Sequence, residues 1–257
     1  MAANITLEFL GTGTSQGVPV IGCDCAVCTS TDSKDKRLRS SVLVTMNGVK
    51  MVIDTGPDFR QQMLQSGTDH IDAVLYTHEH ADHIMGLDDI RAINFKHDTT
   101  MPLFATERVE MAIRGVFHYA FSEKKYPGVP MVHFERVGEK PFSVKGQAII
   151  PIHAMHGQMP VTGFRFGDLT YLTDIKTISN EQLDKIRGSR ILILNALRIK
   201  DHHSHHNLEE ALALIDMLKP QRAYLTHISH LLGIHSAVSA MLPAGVELAY
   251  DGLKLAL

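Results

Sequence analysis

Thr77-His78-Glu79-His80-Ala81-Asp82-His83 stands directly after residues 72–76 (DAVLY), a short apolar run with the composition of a buried strand. His78, His80, Asp82 and His83 can each ligate a metal ion. In extended chain the side chains alternate with period two, so His78 and His80 share one side. If the chain then turns into a helix, Asp82 and His83 face the same cavity from its first turn. One short loop can thus serve two neighbouring ions. The bland alternative is a solvated, histidine-rich surface loop. The junction of a strand and a helix is a rigid support, and that placement favours ligation.

The flanking sequence carries elements for such a scaffold. Residues 5–10, 41–45 and 50–53 have strand composition, and Asn47-Gly48 supplies a hairpin turn between the last two. Residues 87–96 and 107–117 have helical spacing. Residues 114–141 are the least regular part and are expected to form a surface insertion or cap. Strands resume at 148–152, 162–166, 169–172 and 191–194. Asn207 and Glu210 have N-cap and N3 spacing ahead of Leu208, Ala211, Leu212 and Ile215, and Pro220 ends that helix. Residues 223–225 and 246–249 close the series. Strands interleaved with helices predict α/β layers in a single domain over residues 1–257. There is no low-complexity linker and no fixed-period repeat.

Composition narrows the function. Lys and Arg number 25 against 28 Asp and Glu, a formal net charge of −3. This balance removes the electrostatic case for a dedicated nucleic-acid or anionic-membrane binder. No apolar run reaches the ~18–20 residues of a membrane span. The stretch MAANITLEFLGTG lacks a basic segment followed by a long apolar one, so no signal peptide is expected. The three cysteines, Cys23, Cys25 and Cys28, are too few and too close for a disulfide framework. They fit thiols in a reducing compartment, and the expected location is cytoplasmic. Histidine is in excess, with 16 against 10 Phe, 10 Pro and 6 Tyr, and its common chemical use is metal binding.

THEHADH with the following Gly86 resembles the HxHxDH signature of the metallo-β-lactamase fold superfamily. The resemblance implies an αββα sandwich with two metals at one edge of the sheets. Further ligands then belong downstream at strand ends, and His156 follows the run 151–153, Asp174 ends YLTD and His227 ends AYLTH. Carried over, His78, His80 and His156 would hold one metal and Asp82, His83 and His227 the other. Asp174 would bridge them, and Asp82 would also take part in catalysis. Asp54, in Asp54-Thr55-Gly56, resembles the carboxylate that orients a ligand histidine through its other ring nitrogen.

The cysteines refine this reading. A closed zinc site needs four ligands, and His230, three residues past His227, can complete the set of Cys23, Cys25 and Cys28. The alternative is three small buried residues in a Gly-rich turn. GTGTSQGVPVIGCDCAVC, LTHISH and the histidine motif together resemble the PhnP-like cyclic phosphodiesterase branch, in which such a set forms a structural zinc site. Aligning LEEALAL with that branch puts His205 at the family's catalytic histidine, with His203 as the alternative register. Most of the other histidines in Asp201–Asn207 are expected to lie in a solvated polar loop before the helix. Gly11-Thr12-Gly13 lacks the further glycine and the lysine of nucleotide loops and is expected to be a tight turn near the site.

The expected cofactors are two divalent metals, Zn or Mn, in the active site and one structural Zn; the N/O donor set is also compatible with Fe. The expected reaction is hydrolysis of a small cyclic phosphodiester to a phosphomonoester, with His205 donating a proton to the leaving alkoxide. The resemblance implies phosphoribosyl 1,2-cyclic phosphate as substrate. The alternatives are a nuclease or cyclic-nucleotide phosphodiesterase of the tRNase Z-like branch, or a non-catalytic metal-binding scaffold, which a missing ligand would favour. The partner is a small phosphodiester, with no membrane and no nucleic acid, and a homodimer is left open.

Overall fold

The computed structural model describes residues 4–124 and 126–257. Period-two alternation sorts the strand side chains between separate cores. Ile5, Leu7 and Phe9 of β1 (Ile5–Gly11) enter a central core with Val42, Val44 and Met46 of β2 (Ser41–Met46). Leu43 points the other way, into an outer core. The same split holds for Met51 and Ile53 against Val52 in β3 (Val49–Ile53), and for Ala73 and Leu75 against Val74 in β4 (Ala73–Leu75). β5 (Met101–Ala105) and β6 (Val132–Arg136) extend this sheet.

The second sheet runs through β7 (Phe142–Val144), β8 (Gln147–His156), β9 (Met159–Phe166), β10 (Leu169–Tyr171), β11 (Ile191–Asn195), β12 (Arg222–Thr226) and β13 (Val246–Leu248). A last strand, β14 (Lys254–Ala256), returns to pair with β1. The sheets are seven-stranded, in the orders β14-β1-β2-β3-β4-β5-β6 and β13-β12-β11-β10-β9-β8-β7. From β14 to β6, three antiparallel pairings are followed by three parallel ones. From β7 to β13 the same sequence of pairings recurs.

Helices cover both outer faces. α1 (Phe59–Ser66), the single turn α2 (Ala81–Ile84), α3 (Ile90–His97), α4 (Glu107–Val116) and α5 (His118–Phe121) bury Phe59, Ile84, Ile93, Ile113 and Ala120 against the first sheet. α6 (Asn180–Ile186), α7 (Leu208–Leu218) and α8 (His235–Ser239) bury Leu183, Leu214 and Val238 against Leu192, Leu194 and Leu225 of the second. The result is the expected αββα sandwich in one domain. Both halves of the expected capping box are present: Asn207 accepts from the Glu210 amide at 2.8 Å, and Glu210 accepts from the Asn207 amide at 3.0 Å. No helix among the described residues is long and apolar enough to cross a membrane.

Three expectations need correction. Residues 114–141 are not a surface insertion: Phe117, Ala120 and Val132 are buried, and β6 pairs in parallel with β5 as the edge of the first sheet. The strand before His156 does not stop at residue 153, because β8 runs to His156 itself across a hairpin with β9. Gly11-Thr12-Gly13 is not a tight turn. Gly13 bridges in extended form to both Arg39 and Ile228, which stitches the segment to the His227 loop.

Candidate metal centre

The centre lies where strands of both sheets end. β4 leads into Thr77 and His78, β8 ends in His156, β10 leads to Asp174 and β12 to His227. The loop after β4 is pinned by close backbone contact. A Cβ on Gly56 would lie 2.1 Å from the Asp82 carbonyl oxygen, and one on Gly86 would lie 2.1 Å from that of Gly56. Only glycine permits these approaches. Asp54, Asp174 and His227 all hold left-handed backbone, with φ of 64°, 60° and 55°. Such conformations in non-glycine residues cost of order 1–3 kcal/mol and gather at functional sites.

Hydrogen bonds orient the imidazoles. Asp54 Oδ2 accepts from His83 Nδ1 at 2.7 Å and from Thr77 Oγ1 at 2.7 Å, while Oδ1 accepts from the Thr77 amide at 2.8 Å. Since the Thr77 hydroxyl proton goes to Asp54, His78 Nδ1 donates to Thr77 Oγ1 at 2.9 Å. His156 Nδ1 donates to the Ser204 carbonyl at 2.7 Å. His78, His83 and His156 are thus held with Nδ1 protonated and the Nε2 lone pair turned inward, the arrangement a metal ligand requires. His227 is reversed: Nε2 faces Thr14 Oγ1 at 3.3 Å, and Nδ1 lies 2.9 Å from Asp174 Oδ1. His78 Nε2 lies 3.1 Å from His80 Nδ1.

Ligand atoms of Asp82, His83, Asp174 and His227 all lie within 4.8 Å of one another, as do those of His156, Asp174 and His205. Asp174 belongs to both groups. The ring centroid of His156 is 5.7 Å from His78 and 5.1 Å from His80. All seven residues expected as metal ligands therefore converge, and Asp54 braces His83 from behind. His205 also faces the cluster, with Nδ1 4.0 Å from Asp174 Oδ2, whereas His203 is exposed and lies tilted against His202, with ring centroids 4.4 Å apart. The expectation of a solvated loop fails for His206, which is buried and whose Nε2 donates to the Lys176 carbonyl at 3.0 Å.

These residues fit divalent ions. His205 Nδ1 is buried without a hydrogen-bond partner, a condition that costs about 1–3 kcal/mol unless something fills the site. His83 Nε2 and His227 Nδ1 face carboxylates of the cluster at 3.1 and 2.9 Å with no well-aligned hydrogen bond. Burial works against charge on both Asp174 and His83. It is outweighed by His227 and His83 around Asp174, which hold that carboxyl well below its usual range. It is likewise outweighed by Asp82, Asp174 and Asp54 around His83, which hold that ring well above its usual range. A proton on His83 Nε2 thus occupies a place where two carboxylates, Asp82 at 3.1 Å and Asp174 at 3.5 Å, call for a cation. Burial pushes His205 down to about 2, so its charged form needs an anion beside it.

A second cluster lies apart. Cys23, Cys25 and Cys28 Sγ lie 3.3, 3.4 and 3.4 Å from His230 Nδ1. All four residues group within 4.8 Å. The Cys28 amide lowers the Cys25 thiol to about 6, while burial raises Cys28 to about 11. Three thiols and one imidazole with no open position match a closed zinc site. Cys25→Ser is expected to lower Tm by about 5–10 °C, since closing such a site contributes a few kcal/mol to folding and each costs roughly 2–4 °C at this size. The kcat of the folded fraction stays within about twofold. Calorimetry with activity normalised to folded protein checks both.

Residues without a sequence signature also shape the centre. Asn195, fully buried at the end of β11, accepts from the Ile175 amide at 2.8 Å and donates to its carbonyl at 3.1 Å. It fixes the turn just after Asp174. The only sequence cue is an asparagine closing the apolar run ILILN.

Residues 50–228 match the model of the beta-lactamase superfamily domain. A crystallised diphosphatase of the PhnP family is 44 % identical, with a TM-score of 0.91 over 98 % of this chain and 97 % of that one. Zn(2+)-bound PqqB from Methylobacterium extorquens shares the fold at 21 % identity, with a TM-score of 0.78 over 98 % of this chain and all (100 %) of that one. A Porphyromonas gingivalis protein named octanoyltransferase is 41 % identical over 249 residues, which are 96 % of this chain. The chain spans only 50 % of that relative's length.

Proposed function

The chain belongs to the beta-lactamase superfamily and, within it, to the PhnP family of metal-dependent hydrolases, and from that premise we propose that it hydrolyses a small cyclic phosphodiester to a phosphomonoester. The observation that carries this reading is Asp174, whose carboxylate is shared by two ligand groups, one of which includes His205. His78, His80 and His156 would hold one ion and Asp82, His83 and His227 the other, with Asp174 between them. When bound, such a pair supplies positive charge to the phosphate oxygens and makes water a competent nucleophile at neutral pH.

The protein's own part is orientation and proton handling. Asp54 and the Ser204 carbonyl fix the ring planes of His83 and His156, so the donor set is in place before substrate arrives. His205 stands beside Asp174 to hold a proton at the leaving oxygen. An anionic phosphate next to it offsets the burial that keeps it neutral in the free protein. A ribose alkoxide needs that proton, which supports a ribose-type cyclic substrate such as phosphoribosyl 1,2-cyclic phosphate.

A second reading is favoured by the 44 % identical diphosphatase: cleavage of a diphosphate linkage by the same donor set. Its leaving phosphate needs less help from an acid. Nuclease activity finds little support in a net charge of −3. The complete ligand set speaks against a non-catalytic scaffold. Acyl transfer through a thiol finds none near the centre, because all three cysteines lie around His230. Turnover of 2′,3′-cyclic AMP, phosphoribosyl 1,2-cyclic phosphate and a dinucleoside diphosphate, with metals counted in the same sample, tests the proposal. Three ions per chain are expected, two of them lost first under mild chelation because an open site exchanges faster than a closed thiolate one. Full activity with one ion per chain, or turnover of the diphosphate alone, overturns it.

A further inference from the structure

His205 lies in a stretch, residues 196–207, that has neither helix nor strand to fix it. Such a segment is held by its ties to the rest of the fold, among them the main-chain bond from the Leu197 amide to the His206 carbonyl at 3.0 Å and the bond from His156 to the Ser204 carbonyl. The ammonium of Lys176, two residues past Asp174, spans it. Nζ donates to Asp201 Oδ1 at 2.8 Å ahead of His205, and to Glu210 Oε1 and Oε2 at 2.7 and 2.9 Å beyond it. The main chain beside this ammonium makes two further ties. The Lys176 carbonyl accepts from His206 Nε2 at 3.0 Å, and the Ile175 carbonyl accepts from the His206 amide at 3.0 Å.

An isolated surface pair would contribute little. This one differs in three respects: the lysine side chain is only 18 % exposed, it has two acidic partners, and Glu210 is also the N3 residue of the capping box that starts α7. Removing the cation takes the salt-bridge partner from two carboxylates that flank one segment, with Arg198 acting on Asp201 only at longer range. We propose that Lys176 is a positioning residue that holds residues 201–207 so that His205 faces Asp174 and the reacting phosphate. It touches neither substrate nor metal and acts through Asp201 and Glu210. The proposal rests on the reading of His205 as the proton-holding group.

The test compares Lys176→Met, Lys176→Arg, His205→Ala and the Lys176→Met/His205→Ala double variant, all as full-length, metal-loaded protein. Amide hydrogen exchange of residues 201–207 is expected to be at least about 10-fold faster in Lys176→Met, as for a segment shifted toward local opening. It should be largely restored in Lys176→Arg. On 2′,3′-cyclic AMP, kcat of Lys176→Met is expected to fall up to about 10²-fold, the cost of a catalytic group misplaced by about 1 Å. KM should stay within about twofold and metal content should not change. The double variant should turn over no more slowly than His205→Ala, because residues acting through one another are not additive. Unchanged exchange, or faster exchange with unchanged turnover, overturns the role of Lys176. Unchanged turnover in His205→Ala instead overturns the reading of His205, and the exchange result separates the two failures.

Discussion

Asp174→Ala empties the centre and lowers kcat by at least ~10²-fold, the scale of losing an electrostatic stabiliser of the transition state. The carboxylate is fully buried, lies 2.9 Å from His227 Nδ1 and 3.5 Å from His83 Nε2, and belongs to both ligand groups. On the proposed arrangement its removal would take one donor from each ion and the negative charge that would let two cations stand close together. Metal content should therefore fall together with activity. Metal analysis of the variant beside the parent, purified side by side, checks this. Retained activity with two ions bound in the centre would move the bridge to another residue.

His205→Ala gives a loss that depends on the leaving group. A nitrophenolate departs without a proton, so bis-p-nitrophenyl phosphate should lose little. An alkoxide, as from a ribose hydroxyl, should lose ~10²–10⁴-fold, the usual contribution of positioned acid catalysis. A diphosphate would fall between them. Metal content must be unchanged, because His205 Nδ1 sits within reach of Asp174 and the His156 group. An equal loss on all substrates would make His205 a phosphate- or metal-positioning group. His203→Ala should be silent: its ring is exposed, lies tilted against His202 and belongs to neither ligand group.

The residues that converge at the centre were legible because they follow apolar runs, four of them in one motif after DAVLY, and strand ends are where an α/β sandwich gathers its loops. Asp54 was legible for the same reason, as the residue closing MVI before Thr55-Gly56. Lys176 and Asn195 were not. Their roles arise from hydrogen bonds to segments distant in sequence, and a lysine after a strand looks like any solvated cation. β6 was lost because its outer residues are half exposed and only its pairing with β5 makes it a strand. α1 was lost because FRQQMLQS buries only Phe59 and Gln62, which leaves almost no apolar period to detect. Burial of His206 was missed because a run of histidines carries no periodicity, and it is contacts with residues distant in sequence, the Ile175 and Lys176 carbonyls, that take it inside.

The recurrence of one pairing order in both sheets has a consequence for the origin of the chemistry. Aligned by that order, β3 of the first sheet corresponds to β10 of the second, and each is followed by an aspartate in left-handed backbone, Asp54 and Asp174. The two halves share one order of strand pairing, and the corresponding position is put to opposite uses. One carboxylate turns its back on the centre and steadies His83; the other turns inward and is shared by both ligand groups. The first half alone offers His78, His80, Asp82 and His83, and the second offers His156, Asp174 and His227. Neither half carries a whole reaction centre, so the activity is a property of the seam between them.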